Sequence, residues 1–263
     1  GGRVLGAGRE GTPKYVNSPE SPIYHKGGIL YGLSWAKNAI RRRETALMVE
    51  GYMDVVSLAA AGFDNAVAPL GTAVTSDQVT LLHRFTSRIH LLFDGDAAGL
   101  KATFKAADLL LAGNVHPRVV TLPPGEDPDT IVHSEGAGAL KGYIDGAIDV
   151  LDRKIQMLEE HDHFKSIEHT RTAIDRLLPT LRAVQDPALR DIYIKKVSDR
   201  TGVRRDTLEA ELARVTSAPQ QQQVVRRRDQ RRPSAPEMGP ERKLLLLMTK
   251  DRDWIERAGE RLG

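Results

Sequence analysis

The chain of 263 residues contains no cysteine. That excludes disulfides and thiolate zinc sites within it, and it fits a reducing compartment. No apolar run is long enough to cross a bilayer, and the first residues lack the shape of a signal peptide. No internal repeat is present. Neither sign of charge dominates: 38 Lys and Arg against 35 Asp and Glu leave a net charge of +3, only a weak hint of a polyanionic partner. A cytoplasmic protein with no membrane association is expected. No Met stands at position 1, and the chain stops at Gly263 soon after a helical pattern begins, so a piece of a longer protein is expected.

What is present suffices for one large domain or two smaller ones. Hydrophobic residues make up 40% and charged residues 28%. The organising stretch is Leu91-Leu92-Phe93-Asp94-Gly95-Asp96-Ala97-Ala98-Gly99. An apolar run ends in two aspartates one residue apart, with no fixed cation beside them in sequence. Carboxylates this close repel unless a proton or a divalent metal lies between them.

Residues 1–21 are rich in turn formers, and residues 2–6 and 14–19 read as short strands. Residues 29–40 show a helical period with Leu30, Leu33, Trp35, Ala36 and Ile40 on one stripe. Arg41-Arg42-Arg43 closes that helix, where cations suit a helix C-terminus. From Thr45 a stricter rhythm begins. Strands at 46–49, 66–70, 89–93 and 117–122 alternate with helices at 55–61, 77–85 and 100–111, and Thr75 or Ser76 can cap the second of these helices. This alternation predicts an α/β fold, a parallel sheet flanked by helices, with ligands at the carboxyl ends of its strands.

Residues 126–130 read as an acidic loop. From Gly138 strand signals vanish, and helices are expected at 144–160, 167–184, 187–200 and 204–215. Residues 197–208 have helix-turn-helix spacing around Gly202, for which a structural hairpin is the simpler reading. Residues 217–240 hold Gln220 to Gln223, five arginines and four prolines, with little to bury, and read as a disordered linker. The expected division is 1–44, a core segment; 45–137, the sheet domain; 138–216, an all-helical subdomain; 217–240, the linker; and 241–263, the opening helix of a further domain.

Three acidic groups each follow an apolar strand: Glu50, Asp94 with Asp96, and Asp127 with Asp129. In a parallel sheet those points converge. Carboxylate oxygens select Mg²⁺ or Mn²⁺, and two such ions can activate an attacking oxygen while stabilising a leaving one.

Glu50-Gly51-Tyr52-Met53-Asp54, Leu70-Gly71-Thr72 and residues 93–99 resemble the Toprim domain shared by primases, type IA and II topoisomerases and some nucleases. Residues 2–5, 13–20, 25–27, 30–33 and 125–130 are similar, in order, to the RNA polymerase domain of bacterial DnaG-type primases. This resemblance covers roughly the first half of the chain. It implies two-metal nucleotidyl transfer that makes short RNA primers on a single-stranded DNA template from ribonucleoside triphosphates. It assigns Glu50, Asp94 and Asp96 to catalytic Mg²⁺ or Mn²⁺, two or more ions, and Asp127 and Asp129 to a second position. Glu50 is also its candidate general acid or base, and Asp54 a supporting residue. Lys14, Lys26, Arg3 and Asn17 would contact nucleotide or template. Zinc is expected only in a separate amino-terminal domain. The implied partners are the replicative helicase, through the domain that opens after Pro240, and single-stranded-DNA-binding protein. A monomer at the bacterial replication fork is expected. The alternatives are a Toprim nuclease or topoisomerase, or a non-catalytic Toprim DNA-binding module. The Lys14 and Lys26 motifs and Asp127-Pro128-Asp129 weigh against the first, and retention of every acid weighs against the second.

Overall fold

A computed structural model describes residues 2–3, 15–16, 18–22, 24–71 and 73–216. Lys14, Asn17 and Thr72 lie outside the described residues, as do the linker at 217–240, the segment 241–263 and the side chain of Arg3. Residues 1–214 form one compact unit.

Strands β1 (Gly2–Arg3) and β2 (Tyr15–Val16) pair antiparallel. The main sheet holds β3 (Leu30–Tyr31), β4 (Ala46–Met48), β5 (Ala66–Pro69), β6 (Arg88–Leu91), β7 (His116–Val119) and β8 (Ile148–Asp149), in the order β3-β5-β4-β6-β7-β8. The inner four strands are parallel, and both edge strands are antiparallel. The sheet is therefore mixed rather than purely parallel.

Helices α1 (Leu33–Arg43), α2 (Tyr52–Ala60), α3 (Ser76–His83), α4 (Ala97–Ala112), α5 (Pro128–Ser134) and α6 (Ala137–Asp145) alternate with or follow these strands. They are succeeded by α7 (Val150–Glu160), α8 (Ile167–Ala183), α9 (Pro187–Thr201) and α10 (Arg205–Thr216).

Successive residues of the central strands point to opposite faces, as the pleat requires. Met48, Ile89, Leu91 and Phe93 belong to one apolar cluster, and Leu47, Val49 and Leu92 to the other. Both faces are covered, which is why these strands read as continuous apolar runs.

Four expectations are corrected. The helical reading of residues 29–40 fails at its start, because Leu30–Tyr31 pairs with Pro69 and Ala68 of β5. Gly32 makes the break: it sits at φ +83°, and a Cβ there would lie 2.9 Å from the Ala66 carbonyl oxygen. Strands do not end at 138, since β8 extends the sheet. The expected helix at 144–160 is accordingly split at Gly146, and Asp149 caps α7 by accepting from the Leu151 N–H at 2.8 Å. Residues 126–130 are not a simple loop: Asp127-Pro128 starts α5. Finally, α2 begins at Tyr52 rather than 55.

The arginine run does lie in the last turn of α1. Arg42 and Arg43 both reach Asp64, at 3.2 and 2.8 Å, and Arg41 stacks over Phe85. The α9–α10 turn is closed by Gly202 at φ +71°, and Val197 and Leu208 are buried in the same apolar cluster, as in a structural hairpin.

Helices α7 and α8 share their core with the sheet domain through α4. Lys154 buries its ammonium 3.2 Å from Asp108 and against the Thr180 hydroxyl, which itself donates to Asp108 at 2.7 Å. Burial pushes the Lys154 pKa down, and Asp108 opposes that shift.

Candidate functional site

Strand β4 ends at Met48, and buried Val49 carries the chain out to Glu50 at the turn into α2. The neighbouring strand β6 ends at Leu91, and buried Leu92 and Phe93 carry it to Asp94. Two adjacent parallel strands thus deliver carboxylates to the same end of the sheet. The backbone N–H of Asp94 donates to Glu50 Oε1 at 3.3 Å and ties the two together.

The field here is acidic. Burial pushes the Glu50 carboxyl up to about 7, helped by the charges of Asp94, Asp54 and Asp96 and opposed by the Asp94 N–H. Asp54 is pushed up to about 6, again chiefly by burial. The Gly51 N–H, which donates to Asp54 Oδ2 at 2.9 Å, opposes that shift, while Asp94, Asp127 and Asp129 add to it. Asp54 therefore feels both halves of the acidic cluster.

Two of the acids have structural duties as well. Asp96 is the N-cap of α4, and its Oδ1 accepts from the Gly99 N–H at 2.7 Å. Asp127 is the N-cap of α5, its Oδ1 accepting from the Thr130 N–H at 2.7 Å, with Pro128 at the first helical position. Asp129 stands 3.1 Å from His133 on the same helix. Each cap uses one carboxylate oxygen, so the other remains available to a ligand.

Glycines set the closeness of these loops. Gly95 N–H donates to the Glu126 carbonyl at 2.8 Å, which zips the Asp94–Asp96 segment to the loop before Asp127. A Cβ on Gly95 would lie 2.3 Å from the Pro123 carbonyl oxygen. A Cβ on Gly99 would lie 2.3 Å from the Asp94 carbonyl oxygen and 3.0 Å from Glu50 Oε1.

The donor set is all oxygen, which suits Mg²⁺ or Mn²⁺ and not softer ions. Among the described residues, no three Asp, Glu or His side chains close into a cage around one point.

Lys26 lies in a one-turn 3₁₀ helix, Lys26–Gly28, pinned to α3. Gln78 donates to the carbonyls of Lys26 and Ile29 at 3.1 and 2.9 Å, and Thr75 donates to that of Gly27. Of the other predicted cations, Arg3 has its backbone in β1, and Lys14 lies outside the described residues together with Asn17.

A cleft of about 520 Å³ opens beside Glu50. Val74 and Phe93 form part of its wall, and Lys101 and Lys105 of α4 line it. The sequence reading passed over these lysines. Their signal is an i,i+4 cation pair on the helix that follows the aspartates.

The raised Glu50 pKa has a consequence for stability. Its ordinary value is near 4.5, so the folded chain holds a proton on Glu50 between pH 4.5 and about 7 that the unfolded chain has released. Stability without metal should therefore fall as pH rises through that window. Glu50→Gln, neutral throughout, should gain on the order of 1 kcal/mol at pH 8, after allowance for solvent screening of this half-exposed group, and nothing well below pH 4.5, where both states are protonated. Thermal melts at the two pH values, with chelator present, check this. Since a bound cation displaces the proton, apparent Mn²⁺ affinity should rise with pH up to about 7.

Comparison with known proteins adds independent findings. The profile described as Toprim-like matches residues 47–132, and that of the DNA primase catalytic core N-terminal domain matches 1–37. The DnaB-helicase binding domain of primase matches 154–206, on α7 to α10 rather than after Pro240. The DNA primase of Clostridium acetobutylicum is 39% identical over 209 residues, 79% of this chain and 34% of its own length. That of Halalkalibacterium halodurans is 33% identical over 276 residues, 100% of this chain and 46% of its own. The chain thus spans between a third and a half of the length of these relatives. A DNA primase domain from Pseudomonas aeruginosa superposes with a TM-score of 0.72 at 36% identity, covering 81% of this chain and 66% of that one. A DnaG primase catalytic domain bound to single-stranded DNA superposes with a TM-score of 0.66 at 36% identity, covering 78% and 65%.

Proposed function

The chain belongs to the DnaG-type DNA primase family, and from that premise we propose that it is the central part of a DNA-directed RNA polymerase that lays short RNA primers on single-stranded DNA. One observation carries the reading: Glu50 and Asp94, tied by the Asp94 N–H, stand at adjacent parallel strand ends, and Asp54, Asp94 and Asp96 together push the Glu50 carboxyl up.

Glu50, Asp94 and Asp96 would hold the divalent ions, with Asp127 and Asp129 at a second position. Bound there, Mg²⁺ or Mn²⁺ would polarise the α-phosphate of a ribonucleoside triphosphate and lower the pKa of the attacking 3′-hydroxyl. The family resemblance also makes Glu50 the candidate general acid or base. Asp54 holds the Gly51 N–H and so fixes the turn that presents Glu50. Lys26, anchored through Gln78 and Thr75, would face phosphate, with Lys14, Arg3 and Asn17 as further contacts to nucleotide or template.

The single-stranded template is supported by the relative bound to such DNA. A contact with the replicative helicase is supported by the similarity at 154–206. Single-stranded-DNA-binding protein is proposed as a further partner, and the bacterial cytoplasm, at the replication fork, as the place of work. No helix among the described residues is long and apolar enough to cross a membrane.

The test uses the full-length protein with single-stranded DNA, labelled ribonucleotides and Mg²⁺ or Mn²⁺. Short alkali-labile products are expected. Cleavage or relaxation of supercoiled DNA without ribonucleotide incorporation would overturn the reading in favour of a Toprim nuclease or topoisomerase.

A further inference from the structure

We propose that Lys101 and Lys105 of α4 form a track for the sugar-phosphate backbone of a nucleic-acid strand passing the acidic site. The inference rests on the primase reading and goes beyond it, because neither lysine belongs to the motifs that carry the family resemblance.

Helix α4 buries Gly99, Thr103, Ala106, Ala107, Leu110 and Leu111 against the core. Lys101 and Lys105 are exposed on its cleft side. Among the described residues neither ammonium has an ion-pair partner. The charges that push the Glu50 carboxyl up are those of Asp94, Asp54 and Asp96. Two cations thus line the same cleft as Glu50.

Four residues of helix separate the lysines along the axis by about 6 Å. That is comparable with the step between successive phosphates of an extended strand. Ala98, Ala102 and Ala106 of the same helix also line the cleft, small side chains that let a backbone approach closely, and Val74 and Phe93 add apolar surface to it. A triphosphate would call for cations converging on one point. Two cations in a row over an apolar wall suit a strand, with phosphates on the lysines and sugars or bases on the wall.

The charges act through counterion release, so the salt dependence of binding reads them directly. The experiment compares the full-length parent with Lys101→Gln/Lys105→Gln, titrating single-stranded DNA, an RNA–DNA hybrid and a ribonucleoside triphosphate across a salt series. For single-stranded DNA the log–log salt slope of the variant should be shallower by roughly 1.4, or by roughly 1.8 for the hybrid, with about tenfold weaker binding near physiological salt. Whichever arm shows the larger change identifies the strand as template or as nascent duplex. Mn²⁺ binding should be unchanged, which marks an intact acidic site. Unchanged slopes for both nucleic acids, or a defect confined to the triphosphate, would overturn the proposal. If the parent makes no primers yet the variant loses strand affinity, the primase reading fails and the track stands. If primers are made and the slopes coincide, the track fails and the reading stands.

Discussion

A full-length protein carrying Asp94→Asn and Asp96→Asn should fold and melt close to the parent, yet lose metal-dependent ribonucleotide incorporation by at least about three orders of magnitude. Asn is chosen because Asp96 caps α4 through Oδ1, and Asn is as good an N-cap as Asp, whereas Ala would cost about 1 kcal/mol of helix stability. The substitution keeps the shape and removes two negative charges. Two charges that hold divalent ions on a reacting phosphate are worth several kcal/mol in the transition state, and each 1.36 kcal/mol is about tenfold in rate. Primer yield per unit time, beside circular dichroism melts of the same preparations, checks both halves. A fall in activity that tracked a fall in melting temperature would assign the aspartates a structural role instead.

Gly99→Ala should be nearly as damaging by a different route. The new methyl would sit 2.3 Å from the Asp94 carbonyl oxygen, a backbone atom held by the strand end. Either the first turn of α4 or the Asp94 turn must shift, at a cost of about 2–3 kcal/mol. The methyl also presses on Glu50 Oε1, so the carboxylates lose their mutual placement, and displacements near 1 Å cost about a hundredfold in rate. Gly142→Ala in α6 is the control. Nothing lies within 4 Å of its Cβ position, and Ala favours a helix by up to about 1 kcal/mol over Gly. Melting temperature and primer synthesis should both fall for Gly99→Ala and neither for Gly142→Ala.

The central strands were legible in the sequence because burial on both faces leaves uninterrupted apolar runs, and α3 because Thr75 and Gln78 write a capping box that the structure closes. The edge strands were not legible. β3 and β8 are two residues long, and their pairing depends on β5 and β7, distant in sequence, rather than on any local period. Leu30 fits a helical stripe as well as a strand, and only the left-handed Gly32 decides between them.

At the site, the positions of Glu50 and Asp94 followed from strand ends alone. The double duty of Asp96 and Asp127 did not, although Asp127-Pro128 carries an N-cap signal that competes with a metal-ligand reading of the same residue. Lys101 and Lys105 stand in no motif of the sequence. Only the fold places them on the cleft beside Glu50.

The central claim is that the carboxylates at these strand ends hold divalent cations. Titration of Mn²⁺ into the 263-residue chain, followed by electron paramagnetic resonance, tests it most directly. The account predicts saturable binding in the parent that weakens by about a hundredfold or more in the Asp94→Asn/Asp96→Asn variant. Identical isotherms for the two proteins would contradict it.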